Sequence, residues 1–563
     1  MKIFCPPATK ALRVGSLTRY TRTDEGSSPA TANSGVPNSR MVSSISASRI
    51  KLILRAWAVP DPSSEGIGRI SAAASIEIES SRSPIMYRKP SAPSVNRKQT
   101  RFTTSRRQRM GRMAGPAAGL ATALAAALLL LAACSEPAPK VGEIGAVEGF
   151  LGGIVTEEPR AALVARDALS AGGTAADAAT AAYFAMTVTY PVAVGLGGGG
   201  LCLYYDHSGN KAEALEFRAL TPGGGGAVAM PGALRGMALL HSRYGRLPWG
   251  QLVAPGEKLA RFGHHISRAL AKRLAPQAGK LRRDAMAAGI FLHPDGTPLG
   301  EAENLVQVEL ASVLARIRTR GLSDFYSAEM GRHWLAASTS HGGKATIGDL
   351  RGYRAFWQET DRLSVGNEIL YFPKLSQAEG PAFKLVALLN AKPLAAAAGK
   401  VFGQASVAMT HDRGETGLVV GDSFGSAAAC VFQMNDAFGS GAMAPNMGVF
   451  LAPSIARGMA GAANWPGHPL PLLGANENVR QVFFAASGTG GPLGAASAAA
   501  LSRAVMIEGK TLEQIMSANK SAGLDRPDRV QALWCPKGIR DGASSCQFAT
   551  DARAHGLAVF DQF

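Results

Sequence analysis

The chain is 563 residues long, 46% hydrophobic and formally +18 at neutral pH, which is enough apolar material for one large or two medium cores. Residues 1–109 hold 19 Lys and Arg against 6 Asp and Glu, so +13 of that charge sits there and only +5 falls on everything after it. The basic excess belongs to a leader, and the folded part carries no charge signature of a nucleic-acid binder.

Residues 1–109 are rich in Ser, Arg and Pro and end in Ser105-Arg106-Arg107-Gln108-Arg109 without a sustained helical or strand period. They read either as a basic interaction tail or as an over-long translation whose true start is Met110 or Met113. The second reading is preferred, because a complete targeting signal follows Met110. Residues 110–133 give a short basic start with Arg112, an apolar run over 117–133, and then Leu131-Ala132-Ala133 before Cys134. That run is marginal against the ~20 residues of a membrane-spanning helix. Small residues ahead of a cysteine resemble the lipobox of bacterial lipoproteins. Cys134 is therefore the expected lipidation site, with an uncleaved anchor or a plain signal peptide as alternatives. Residues 134–148 read as a tether, and the expected location is the cell envelope, lipid-anchored and facing the periplasm.

From residue 149 onward the pattern is that of a folded protein. Residues 159–169 and the Ala-rich 175–187 have helical spacing, separated by Gly172-Gly173. A glycine-dense stretch over 192–200 leads into a hairpin of strands 201–205 and 214–218. Residues 236–340 are largely helical, with His264 and His265 in a loop. Residues 368–373 form a strand, 381–390 a helix, and 391–409 a poorly periodic loop. Strands follow at 418–420, 427–434, 448–451 and 482–486, and a helix at 494–508. Helices followed by antiparallel strands predict a layered α+β architecture.

Export fixes how the cysteines are read. Cys535 and Cys546 suit a disulfide closing a short loop, while Cys202 and Cys430, each within an apolar run, read as inert buried thiols. No second cysteine pair or histidine cluster stands near them, so neither a metal nor a cofactor is expected.

The chemistry points to Gly414-Glu415-Thr416-Gly417, a turn that delivers a threonine to the head of an apolar strand. If the bond between Glu415 and Thr416 were cut, that hydroxyl would carry its own base, the freed α-amine. The loop upstream offers a place to cut. Ser487-Gly488-Thr489-Gly490-Gly491, between a strand and a helix, presents backbone N–H groups suited to an oxyanion.

These pieces resemble the gamma-glutamyltransferase (gamma-glutamyltranspeptidase) family of N-terminal nucleophile hydrolases. The stretches that carry the likeness include Ala171-Gly172-Gly173-Thr174-Ala175-Ala176-Asp177, Gly195-Leu196-Gly197-Gly198-Gly199-Gly200, Glu216-Phe217-Arg218, Met230-Pro231-Gly232-Ala233 and Asp349-Leu350-Arg351-Gly352-Tyr353. The resemblance implies a four-layer αββα sandwich over 149–563 and self-cleavage into a large part (149–415) and a small one (416–563). A threonyl acyl-enzyme would form on a γ-glutamyl, glutathione-like or related amide. Thr416 is the implied nucleophile, selected over Thr410 by counting back, with one residue of slip, from Asn435 and Phe438-Gly439-Ser440-Gly441. Gly490 and Gly491 match the oxyanion glycines and Arg218 the arginine that grips a substrate carboxylate; Asn435 would orient nucleophile or substrate. The chain departs from the family pattern at Gln433, where a threonine is expected, at Pro471-Leu472, where serines are expected, and past Gly448, where Pro453, Ser454 and Arg457 stand in place of an acidic residue. A catalytically impaired lipoprotein scaffold of the same fold, or an acylase for another amide, stays open beside the enzyme reading. The expected partners are a small amide or peptide substrate and, through the lipid, a membrane, with no nucleic acid.

Overall fold

The computed structural model describes residues 151–374, 412–454, 470–521, 528–540 and 543–561, all within one compact unit of the chain. The leader, Cys134, the tether, Thr410, Arg457 and the helix expected over 381–390 lie outside the described residues. Among those described, no helix is long and apolar enough to cross a membrane.

Twelve strands form one continuous antiparallel ladder. In chain order they are β1 (Gly152–Thr156), β2 (Gly199–Asp206), β3 (Lys211–Glu216), β4 (Phe356–Val365), β5 (Glu368–Pro373), β6 (Glu415–Asp422), β7 (Ala427–Gln433), β8 (Leu470–Asn476), β9 (Gln481–Thr489), β10 (Arg529–Trp534), β11 (Gln547–Thr550) and β12 (Leu557–Asp561). Their spatial order is β11-β10-β9-β8-β5-β4-β3-β2-β7-β6-β1-β12. The ladder folds over on itself, so that Leu203, Val419 and Ala429 from one half share a core with Leu473, Val482 and Leu533 from the other. Alternate residues of the same strands face outward. Leu418, Val420 and Ile154 pack under the helices α1 (Pro159–Ser170), α2 (Ala175–Thr189), α3 (Ala233–Tyr244), α4 (Trp249–Phe262), α5 (Arg268–Leu274) and α6 (Val308–Arg320). Phe484, Ala486 and Val530 pack under α7 (Pro492–Met506) and α8 (Leu512–Ser521). Three apolar interfaces separate four layers, the αββα sandwich of the N-terminal nucleophile hydrolases. Each fully buried Val or Leu in them contributes roughly 1.5–3 kcal/mol.

Local sequence sets the elements that frame the site. Helix α1 starts at Pro159, with the Glu158 carboxylate accepting from Ala161 N at 2.8 Å. Helix α2 opens on a capping box in which Thr174 and Asp177 exchange hydrogen bonds; its alanines let it lie fully buried against the sheet. In β9 the pairing with β8 slips at Gly474/Ala475, which leaves Val482 and Ala485 on the same inner face.

Two expectations need correction. Cys202 and Cys430 are not free thiols: they are directly opposite each other on β2 and β7 and form a disulfide. Periodicity cannot reveal a partner 228 residues away. His264 and His265 form a short strand with Asn304 and Leu305 instead of a loop. Pro471 and Leu472 are interior residues of β8. The Cys535–Cys546 disulfide is present as expected.

Candidate active site

At one end of the sandwich the layer between the two sheets turns from apolar to polar. Glu157, Glu415, Gln433, Ser487, Thr489 and Gln531 are buried there. Glu415 is the first residue of β6 and pairs directly with Gln433 of β7. Its carboxylate oxygen Oε2 accepts from Gly490 N at 2.9 Å and Gly491 N at 3.3 Å. The chain leaves β9 through these two glycines at φ +88° and +77°, a region that other residues adopt only under strain, and enters α7 at Pro492. Gly491, the residue before the helix, has no side chain to cap it. Glu415 supplies the negative charge that a helix N-terminus attracts. Burial nonetheless raises the Glu415 pKa to about 7, against the opposing pull of the two glycine N–H groups and Arg413.

Thr416 lies elsewhere. It pairs with Phe432, and strand alternation puts it on the face of Leu418 and Val420, under the helices. Its hydroxyl is fully buried and finds no hydrogen-bond partner among the described residues. In the continuous chain, then, the glycine pair meets Glu415 and not Thr416, and the bond between these two residues is the first of strand β6; the loop expected over 391–409 lies outside the described residues.

The carbonyl of Glu415 is held as well. Arg273 of α5 donates to it at 3.0 Å, to Tyr190 Oη at 3.1 Å and to Glu157 at 3.4 Å, while its other nitrogens grip Asp412 at 2.6 and 2.5 Å. Such a two-pronged guanidinium–carboxylate contact is the strong form of ion pair. Glu157, whose pKa burial raises against the Arg273 charge, accepts from Thr489 Oγ1 and Gln531 Nε2, each at 3.3 Å. One buried network thus joins the Glu415 carbonyl to the residue preceding Gly490. Sequence reasoning missed Glu157, Arg273 and Asp412.

Arg218 follows β3 and pairs with the Glu216 carboxylate; Tyr353 Oη donates to its backbone carbonyl at 2.7 Å. Asn435 sits at φ +64° and ties two loops together, donating to Ala219 O at 3.3 Å and Pro453 O at 2.9 Å. It accepts from Gln433 Nε2 at 3.1 Å. Arg218, Asn435, Glu415, Gly490 and Gly491 therefore gather at one end of the sandwich, with Thr416 turned to the opposite face of its strand. No cluster of three metal-ligating side chains occurs among the described residues.

A family model described as gamma-glutamyltranspeptidase matches residues 161–391, a stretch that includes Arg218 and stops before Glu415. The glutathione hydrolase proenzyme of Bacillus subtilis (strain 168) is 33% identical over 224 residues, 36% of this chain and 38% of that one. An acylase, the ACY 1 proenzyme of Pseudomonas sp. (strain SE83), is 32% identical over 273 residues, 43% of this chain and 49% of its own. The chain thus spans less than half the length of these relatives. Among solved structures, the cephalosporin acylase from Bacillus halodurans superposes with a TM-score of 0.56 at 18% identity, over 76% of this chain and 98% of that one. That likeness establishes the fold.

Proposed function

We propose that this chain, a divergent member of the gamma-glutamyltranspeptidase family, is a latent amidohydrolase or acyltransferase whose uncut form is closed by its own Glu415. The observation that carries this reading is the convergence of the Gly490 and Gly491 N–H groups on one carboxylate oxygen. Two backbone donors aimed at one negative oxygen are what an acyl-transfer site offers its tetrahedral intermediate. While Glu415 holds them, a substrate cannot.

Cutting the bond between Glu415 and Thr416 would free the strand end, let Glu415 withdraw and give Thr416 an amine. As a chain end, Thr416 could then swing its hydroxyl toward the glycine pair. The hydroxyl would pass its proton to that amine while attacking a γ-glutamyl or related amide. The C–N bond breaks, the departing amine takes the proton, and water or an amine acceptor then removes the acyl group from the threonyl ester. Arg218 would trade Glu216 for a substrate carboxylate.

A second reading, an uncut and non-catalytic scaffold, is favoured by one observation: the Thr416 hydroxyl faces the helix layer. The mass of the purified protein separates the two. Because the Cys202–Cys430 disulfide joins the large and small parts, a cut chain should run as one species without reductant. With reductant it should release a fragment of 148 residues beginning at Thr416. That sample should liberate chromogen from a γ-glutamyl anilide, and Thr416→Ala should do neither. An intact reduced chain would establish the scaffold.

The envelope location rests on the sequence alone. Cys134→Ala is expected to shift the protein from the membrane to the soluble fraction and to abolish labelling by a radioactive fatty acid. Unchanged labelling would rule out lipidation at Cys134.

A further inference from the structure

Strand pairing turns the Glu415 carbonyl away from β7. Met434 N donates to Gly414 O at 2.9 Å, and along an antiparallel strand successive carbonyls point to opposite sides, so the Glu415 oxygen faces the β1 side. The β1 ladder does not reach it. The pairing of β1 with β6 ends at Thr156 opposite Leu418, and continued in register it would set Pro159, which has no N–H, across from Glu415. A side chain supplies the donor that the ladder lacks there: Arg273 Nη1 lies 3.0 Å from Glu415 O.

Arg273 is held for that contact by groups on its other sides. Asp412 takes Nε at 2.6 Å and Nη2 at 2.5 Å, and Tyr190 Oη and Glu157 share Nη1. The guanidinium does not lose its proton in a protein. A fixed cation is therefore aimed at the oxygen of the one peptide bond whose cleavage would expose the Thr416 amine.

The glycine pair cannot serve that bond while the chain is whole. Gly490 and Gly491 N–H both point at the side-chain oxygen Oε2 of Glu415, so the backbone oxygen of the same residue requires a separate donor. The nucleophile is close by covalent geometry. Only N, Cα and Cβ separate Thr416 Oγ1 from the Glu415 carbonyl carbon, and its attack there closes a five-membered ring. That hydroxyl has no hydrogen bond to break among the described residues.

Resting on the reading that the chain is cut before Thr416, we infer that the Arg273 guanidinium is a catalytic group of self-cleavage, stabilising the negative charge that builds on the Glu415 carbonyl oxygen. The Thr416 oxygen bonds to the Glu415 carbonyl carbon, the C–N bond breaks, and the hydroxyl proton ends on the departing nitrogen, which becomes the Thr416 amine. Water then hydrolyses the ester, leaving a carboxylate on Glu415 and restoring the hydroxyl. Between amide and ester the oxygen is an anion beside an oriented cation, a contact stronger in the transition state than in the resting amide. Arg273 thus serves the cutting of the chain, and the glycine pair serves its substrate.

The test follows the full chain made by cell-free translation. The reduced mass reports the fragment of 148 residues beginning at Thr416, and rates are taken on the folded fraction given by pulse proteolysis. Arg273→Met and Arg273→Gln, both uncharged, should each slow cleavage at least about a hundredfold, the loss typical of one oxyanion donor; two variants guard against one that fails to fold. Arg273→Lys keeps the charge and should recover at least about tenfold of that loss. Leu314→Ala, a large-to-small change at a fully buried position of α6, destabilises the fold without touching the scissile bond. It should cleave at close to the wild-type rate. Uncharged variants that cleave within about threefold of the wild type, a lysine variant as slow as the methionine one, or Leu314→Ala as slow as either would overturn the inference. A wild-type chain that stays whole is a separate failure, which removes self-cleavage itself and this role with it.

Discussion

Replacing Arg273 with methionine is expected to lower the unfolding free energy by about 2–3 kcal/mol, less than the full loss when a buried ion pair is broken from one side, because the Arg273 and Asp412 side chains keep 18% and 27% of their surface exposed. Methionine fills much of the arginine volume, so the effect is electrostatic. Glu157 and Asp412 lose their common cation, and the Glu415 carbonyl, Tyr190 Oη and the Asp412 turn lose their donor. Arg273→Lys should cost less, about 1–2 kcal/mol, because the charge stays and the two-pronged grip on Asp412 goes. Urea unfolding measures both. A loss under about 0.5 kcal/mol for Arg273→Met, the size of an ordinary surface substitution, would show that the network around Glu415 does not hold the fold together.

The second large effect concerns pH. Burial lifts the Glu415 carboxyl from its ordinary 4.5 to about 7 in the folded chain, so folding favours its protonated form. The folded value lies above the unfolded one. The stabilising contribution is therefore complete below about pH 4.5 and is lost as pH rises through about 7. The change amounts to about 3 kcal/mol. Glu415→Gln, which keeps an oxygen for Gly490 and Gly491 but cannot ionise, should remove that part of the slope. Asp422, raised by burial to about 6, has the same sign and titrates in both proteins, so the difference between the two curves isolates Glu415. Parallel curves from pH 4.5 to 8 would mean that Glu415 is not buried as a carboxyl.

Much of the architecture was legible in the sequence, and the reasons are local. Glycine stops and alanine faces marked α1 and α2, apolar runs marked β2 and β7, and Gly490-Gly491 announced a backbone anion site. The strands β11 and β12 were harder, because they are short edge segments that carry little periodicity. One feature of the site was not legible, namely which face of β6 meets the glycine loop. Glu415, Gly417 and Val419 alternate with Thr416, Leu418 and Val420, but β6 is buried on both faces. Hydrophobic pattern then does not say which set meets the glycine loop. That is decided by how the second half of the ladder folds back, a tertiary fact. Counting back from Asn435 to place Thr416 needed one residue of slip, and on a strand one residue exchanges the two faces. Glu157, Arg273 and Asp412 were missed for a related reason: they come from a strand end, a short helix and a turn that only the finished fold brings together.

The Glu415 carboxylate closes the glycine pair in the uncut chain, and the Gly490 amide is the nearest probe of that contact. Threonine precedes glycine at only two places in the sequence, Thr416-Gly417 and Thr489-Gly490, so labelling threonine carbonyls with carbon-13 and glycine amides with nitrogen-15 isolates these two resonances. In the uncut Thr416→Ala protein the first pair vanishes and Gly490 stands alone. Its amide shift should titrate with a midpoint near 7 and should stop titrating when Glu415→Gln is added. An amide that ignores pH, or that titrates unchanged without the carboxylate, would contradict the claim.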